Sequence, residues 1–304
     1  MIRLSILVPA IGEQASIDAT LLSVLENRPA NCEIIVPCSA SYQDPYDLGD
    51  EVRFIHCPDD SPVSVLLNSG LSNSLSERVH WLTPGILATD GWTESPVRSI
   101  GERKSGFVAP LILDESNSSR IESAGIRYTR GGARKTIGRN VRHPSRKSVR
   151  LRADGPSQHA GFCRRECLIG IGGFRAAFGP NLADADLAAR IKAKGETCLV
   201  DTSSTLLVDS ESVLTPLRRK GFRFGRESER LYWQHFRTNG ALSSVIHLAH
   251  VAVETLKQFP SPATVTSLFG RFVGVIDSLR RIDDEGEGIS VPAETANRTV
   301  RRAA

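Results

Sequence analysis

A chain of 304 residues is long enough to bury a full core as one large domain, or as one domain with an appendage. Apolar residues make up 40% and charged residues 24%, the balance of an ordinary globular protein, with a mildly basic net charge of +4. That composition excludes a low-complexity or fibrous chain, and no stretch reaches the ~18 uninterrupted apolar residues of a membrane span.

The first predicted element is a buried strand over residues 3–9, a short apolar run closed by Pro9. Residues 16–26 follow on a helical period. Strands over Glu33–Pro37 and around Val52–His56, a helix over 61–71 and a strand over Val79–Leu82 come next. Strands alternating with helices indicate a parallel sheet of the doubly wound kind. Ligands of such sheets bind at the carboxyl ends of the strands, which directs attention to the segments after Pro9, Pro37 and Leu82.

From Arg127 to Arg152 the chain holds ten Lys or Arg and no acid, with interspersed glycines, and reads as a mobile basic loop. A solvated loop is the plain reading, and phosphate or anionic-acceptor binding the sharper one. Nucleic acid is not expected as a partner, because aromatic interleaving beyond Tyr128 and any nucleic-acid module are missing. Downstream, Gly172–Arg190 (GGFRAAFGPNLADADLAAR) sets Asp184 and Asp186 at the mouth of a helix after a Gly-Gly-Phe turn. Acids there would favour the positive end of the helix dipole, the plain reading for Asp186. A strand over Cys198–Val200 and an extended piece over Thr205–Asp209 complete the α/β part.

Beyond Pro216 the pattern is helical. Residues 216–237 hold seven basic and two acidic residues, and apolar stripes run over 242–256 and 265–279. A stripe of this kind most often faces a core, and a membrane surface is the alternative for 265–279, flanked by Arg280 and Arg281. Residues 283–304 are polar and unpatterned, a disordered tail by composition. The six cysteines form no CxxC pair and no zinc-type spacing, and most sit in apolar runs. Reduced thiols and the want of a secretory signal point to the cytoplasm, with peripheral contact at the inner face of the membrane open.

Several of these segments together resemble family 2 glycosyltransferases, from residue 3 to about residue 212. SILVPAIGE resembles the family's first strand and turn, and EIIVPCSAS its Glu-Ile-Ile-Val-Val-Asp-Asp-Gly-Ser. VLLNSGLSNS resembles its Asn-x-Gly helix, WLTPGILATDGW its Leu-Asp-x-Asp segment, and the Gly172–Arg190 stretch its Gly-Gly-Phe and Glu-Asp-x-Asp-Leu. The resemblance implies a GT-A-like (Rossmann-related), mostly parallel sheet flanked by helices over 1–212, with a helical extension over 213–282. It implies inverting transfer of a sugar from an activated, nucleotide-bound donor to a hydroxyl, with Asp184 as general base. It places Pro9, Ala10, Glu13, Cys38, Asn68, Thr83 and Gly85 on the donor side, and Trp92, Gly172, Gly173, Phe174 and Asp186 around the acceptor, a glycan or lipid-linked molecule.

The departures from the family fall on the chemistry. The nucleotide-reading acids become Pro37 and Cys38, and the metal-binding Asp-x-Asp becomes Thr83-Pro84-Gly85. Neither Thr83 nor Gly85 offers an anionic oxygen to Mg or Mn, so no resident metal is expected unless Asp209 serves as a ligand. Two readings stay open. Arg134, Lys135, Arg139 and Arg142 of the basic loop, or Arg218, Arg219 and Lys220 after the last motif, could replace the cation. Alternatively the fold is a catalytically inactive scaffold in glycan or polysaccharide assembly. A lone His159 near the acceptor is read as structural.

Overall fold

The computed structural model describes residues 2–139, 141–142, 151–209, 221–235, 240–259 and 261–280. The predicted tail over 283–304, and Arg218, Arg219 and Lys220, lie outside the described residues, as does the Arg142 side chain.

The amino-terminal half follows the predicted alternation. Strand β1 (Leu4–Leu7) leads to helix α1 (Gln14–Asn27), then β2 (Cys32–Ser39), β3 (Arg53–Cys57), α2 (Val63–Asn73) and β4 (Arg78–Leu82). β1 lies between β2 and β4, all parallel, and β3 pairs parallel with β2. Every residue of β1 is buried, as expected of a strand covered on both faces. Within β2 the ring of Pro37 occupies space that a Cβ on Gly70 of α2 would enter.

The second half is mixed. After β5 (Ile86–Ala88) and α3 (Glu94–Gly101), β6 (Phe107–Asp114) and β7 (Arg120–Ser123) form an antiparallel pair. β11 (Ala160–Arg164) runs antiparallel between β4 and β6 and joins the two halves into one sheet. Eight of the sheet's ten strands follow the order β10-β7-β6-β11-β4-β1-β2-β3, where β10 is Val141–Arg142, and the other two branch from β6. The extended pieces at 198–200 and 205–209 are one long strand, β12 (Cys198–Val208), parallel to β6 with a register shift between Asp201 and Thr205.

Two expectations need correction. The amino-terminal part of the basic stretch is not a loop: β8 (Ile126–Tyr128) and β9 (Arg134–Thr136) form a separate antiparallel hairpin, because Arg134 is drawn inward by a buried carboxylate. Residues 143–150 of that stretch lie outside the described residues. In addition, Asp184 and Asp186 are not at a helix mouth. Helix α5 (Gly179–Ala193) begins with Gly179 and Pro180, so both acids fall in its second turn, away from the free amides that would favour them.

The carboxyl-terminal part comprises α6 (Phe222–His235), α7 (Gly240–Gln258) and α8 (Pro262–Leu279). Among the described residues no helix is long and apolar enough to cross a membrane.

Candidate functional site: a cleft at the strand tips

A cleft of about 200 Å³ opens where β1 and β4 end, at the place the doubly wound topology predicts. Ile11 follows β1, Thr83 and Pro84 follow β4, and Ser64 and Leu67 come from α2. The opposite wall is Gln158 and His159, from the segment entering β11, with Phe174 and Ala183.

Asp184 stands behind that wall. It is 1% exposed, and both of its oxygens are held by Arg134: Nε donates to Oδ1 at 2.7 Å and Nη2 to Oδ2 at 2.6 Å. The Gln158 backbone N–H adds a longer bond to Oδ2 at 3.3 Å. Arg134 also donates from Nη1 to Thr136 Oγ1. The candidate base and one candidate cation are thus a single two-point ion pair, the strong planar form of an arginine–carboxylate contact.

Asp186 belongs to a different network. Arg190, one helical turn on, donates to its Oδ2 at 2.7 Å, and His235 of α6 lies 2.8 Å from its Oδ1. Burial alone would raise this carboxyl's pKa, but the His235 hydrogen bond and the Arg190 charge outweigh it and hold it below the usual carboxylate range. Arg190 in turn donates to the carbonyls of Ile171 and Gly173. Gly172 and Gly173 take positive φ (+84° and +65°), which lets the turn present those carbonyls. Asp186 is therefore a support of the Gly-Gly-Phe turn rather than an acceptor contact. Asn68 fixes the same turn from α2: its side-chain amide donates to the Phe174 carbonyl and accepts from the Phe174 N–H, both at 2.8 Å. Phe174, held from both sides, packs edge-on against Trp81 and borders the cleft.

Other expected site residues are placed elsewhere. Trp92 is no pocket wall: it is 1% exposed, and its indole N–H donates to His80 Nε2 at 3.1 Å inside the main core. His80 stacks on Phe162 and reaches the Gly161 carbonyl through Nδ1, so it is a neutral, enclosed imidazole whose pKa burial pushes down to about 3. Cys38 is likewise buried, next to His56, and neither it nor Pro37 lines the cleft. Pro9 and Ala10 are buried, and the Ala10 N–H bonds the Pro37 carbonyl. Glu13 is exposed at the start of α1. Thr83 does line the cleft, 3.2 Å from His159 Nδ1. The Gly85 N–H is taken by Thr20 Oγ1 and the Ser16 carbonyl. Lys135 is exposed on the hairpin, and Arg139 points to buried Glu122 at 3.9 Å.

The Thr83-Pro84-Gly85 turn, where the sequence resemblance would put a cation, has a donor set of one hydroxyl with no carboxylate. Asp209, one residue past the Val208–Ile86 pair, comes next in register to Gly85 and supplies a single carboxylate. Among the described residues no three His, Cys, Asp or Glu side chains converge to hold a metal ion. These residues do not fit a hard divalent cation, which needs several oxygen ligands.

The α/β arrangement is that of the GT-A glycosyltransferases. GalNAc-T7 with UDP, GalNAc and Mn2+ superposes at a TM-score of 0.58, with 12% identity over 86% of this chain and 57% of that one. The mannosyltransferase PcManGT of Pyrobaculum calidifontis, with GDP-Man and Mn2+, gives 0.54 at 13% identity over 91% and 87%. TarS of S. aureus, residues 1–349, gives 0.57 at 12% identity over 90% and 80%. The chain thus spans little more than half the length of the first of these, and at such identities the likeness is one of fold. No family model and no curated protein matches the sequence.

Proposed function

We propose that this chain is a glycosyltransferase-like enzyme that moves a sugar from a nucleotide-activated donor to a hydroxyl acceptor with inversion. Asp184 takes the acceptor proton, and side-chain cations replace a protein-held divalent metal at the leaving diphosphate. The observation that supports this is the two-point Arg134–Asp184 pair behind the cleft wall. A diphosphate offers Arg134 the same forked geometry as a carboxylate and more charge. If the guanidinium moves to the donor, it leaves a free carboxylate and brings positive charge to the leaving group in one exchange. The solved structures of similar fold carry UDP or GDP-mannose, which agrees with an activated sugar as the donor class.

The same pair also favours a second reading. A carboxylate with both oxygens held by a buried arginine is a poor proton acceptor, so a chain in which that exchange never happens is a silent binding or scaffolding protein. Calorimetric titration with UDP and GDP, with and without Mn2+, followed by a transfer assay, separates the two. Metal-independent nucleotide binding that is lost in Arg134→Ala, with transfer abolished in Asp184→Asn, is the expected result. No nucleotide binding under either condition overturns the transferase reading.

A further inference from the structure

His159, read from the sequence as structural, has an unused polar edge in the cleft wall. Its Nδ1 lies 3.2 Å from Thr83 Oγ1. That hydroxyl lies 3.4 Å from the His159 carbonyl oxygen, which also accepts the Thr83 N–H at 2.9 Å. A carbonyl only accepts, so the hydroxyl proton points to it and the hydroxyl oxygen faces Nδ1 as an acceptor. The one assignment that makes both contacts hydrogen bonds puts the ring proton on Nδ1 and leaves Nε2 with a bare lone pair. Among the described residues Nε2 makes no hydrogen bond. Burial pushes the pKa of His159 down to about 4, while Asp184 and Arg134 act on it in opposite senses, so the ring is neutral at neutral pH.

The neighbouring Gln158 repeats the pattern. Its side-chain Oε1 is enclosed and has no hydrogen-bond partner among the described residues. Enclosed polar atoms normally have partners, so two adjacent open acceptors in one wall mark a place for ligand donors. The rest of the lining is uncharged: Ile11, Leu67, Pro84 and Phe174 are apolar, and Ser64 and Thr83 carry hydroxyls. At about 200 Å³ the cleft falls below the ~300–1,000 Å³ of common ligand pockets, room for one ring rather than a whole nucleotide sugar. We infer that the cleft seats a single uncharged sugar ring and that His159 sets this specificity, its Nε2 accepting a hydrogen bond from a ring hydroxyl. The inference deepens the proposed function and takes the ligand class from it; the hydroxyl read by His159 is not the reacting one, whose proton goes to Asp184. A carboxylate on the ring would meet bare lone pairs and no cation, and would lose its water without compensation. A uracil fits less well than a sugar, since its N–H between two carbonyls presses an oxygen onto one of the open acceptors.

The test is nitrogen NMR of the full chain carrying isotope-labelled histidine, with the His159 signals assigned by their loss in His159→Gln. The probes are the methyl glycosides of glucose, galactose and mannose, those of the matching uronic acids, and uracil. The free protein should show His159 protonated on Nδ1 alone. At least one neutral glycoside should move the Nε2 resonance saturably, and its uronic acid should bind about tenfold more weakly or worse. Thr83→Val, folded if its melting temperature stays near that of the wild type, should release the ring to a mixture of tautomers. It should also weaken the glycoside roughly threefold to tenfold, the weight of one neutral hydrogen bond. The inference is overturned by a free ring protonated on Nε2, by no saturable response to any glycoside, by a uronic acid that binds as well, or by a response to uracil alone. Nucleotide binding without a glycoside response sinks this inference and spares the transferase reading. A glycoside response without nucleotide binding does the reverse and leaves a sugar-binding cleft.

Discussion

Replacing Arg134 with alanine leaves Asp184 buried at 1% exposure with, among the described residues, only the distant Gln158 N–H as a hydrogen-bond partner. Removing one partner of a buried ion pair costs ~3–5 kcal/mol, far more than the ~0–1 kcal/mol of a surface pair, because the remaining charge has no solvent. For a domain of this size that is a melting-temperature loss of roughly 6–20 °C. Asp184→Leu should cost a similar amount by stranding the guanidinium. The double variant Arg134→Met/Asp184→Leu removes both charges and should recover most of the loss, since an apolar pair of similar volume often matches a buried ion pair. Thermal melts of the four proteins form a double-mutant cycle with a coupling energy of at least ~2 kcal/mol, within the range for residues in contact. A single-variant loss below ~1 kcal/mol, or additive losses in the double variant, would mean that the pair is loose and solvated and that the description of the cleft's back wall is wrong.

The remaining predictions concern the supports of the cleft and the helices. Asn68→Ala strands both polar groups of the Phe174 backbone and should cost ~1–3 kcal/mol, read by chemical denaturation; a neutral result would mean that the clamp is not made in solution. Gly270→Ala drives a methyl into the Phe222 carbonyl and should destabilise by ~1–3 kcal/mol or more, with α8 becoming the first site of limited proteolysis. Stability should already fall as pH drops below about 6.5, because the unfolded chain protonates its histidines there while enclosed His80 stays neutral down to about 3. The slope approaches ~1.4 kcal/mol per pH unit from His80 alone, half-buried His159 adds to it in the same direction, and a melting temperature flat from pH 7 to 5 refutes it. At lower pH, Asp186 and Glu229, both held below the usual carboxylate range against the cost of burial by histidine and arginine partners, lose their contribution as pH falls from about 4 through their folded values.

The parallel half of the sheet was legible because its strands are short, apolar and separated by periodic helices, which fixes type and order without knowledge of the partners. The mixed half was less so. β6 and β11 pair across long sequence separations, and the hairpin of β8 and β9 lay under a run of ten cations that reads as solvent-exposed until Arg134 is seen to have Asp184 to bury against. Of the site, the Gly-Gly-Phe turn and Asp184 could be located, but the partners of the two acids could not. His235 lies 49 residues from Asp186, and no spacing rule connects them. Trp92 was misplaced for a related reason. A tryptophan after a loop looks like a binding wall, and only the buried acceptor on His80 reveals that its N–H is satisfied in the core.

The two acids of α5, two residues apart, divide the site into a part that is fixed and a part that can exchange. Asp186 is bound through Arg190 to the carbonyls of the turn and through His235 to α6, so the helices carried on α6 are mechanically tied to the wall that holds Phe174 in the cleft. The acid is fully buried and its two hydrogen-bond partners, Arg190 and His235, are largely enclosed, while the more exposed Arg175 adds a longer ion pair at 3.8 Å. Asp184 has a single arginine, carried on a two-stranded hairpin outside the main sheet, and the cleft-lining Gln158 lies within hydrogen-bond distance of its carboxylate. Among the described residues a charged ligand in the cleft has this one ion pair to act on, and the proposed function gives the role of base to its carboxylate. Under the proposed function, transfer turns on whether Arg134 can leave Asp184, and the strength of that one contact is the quantity to measure first.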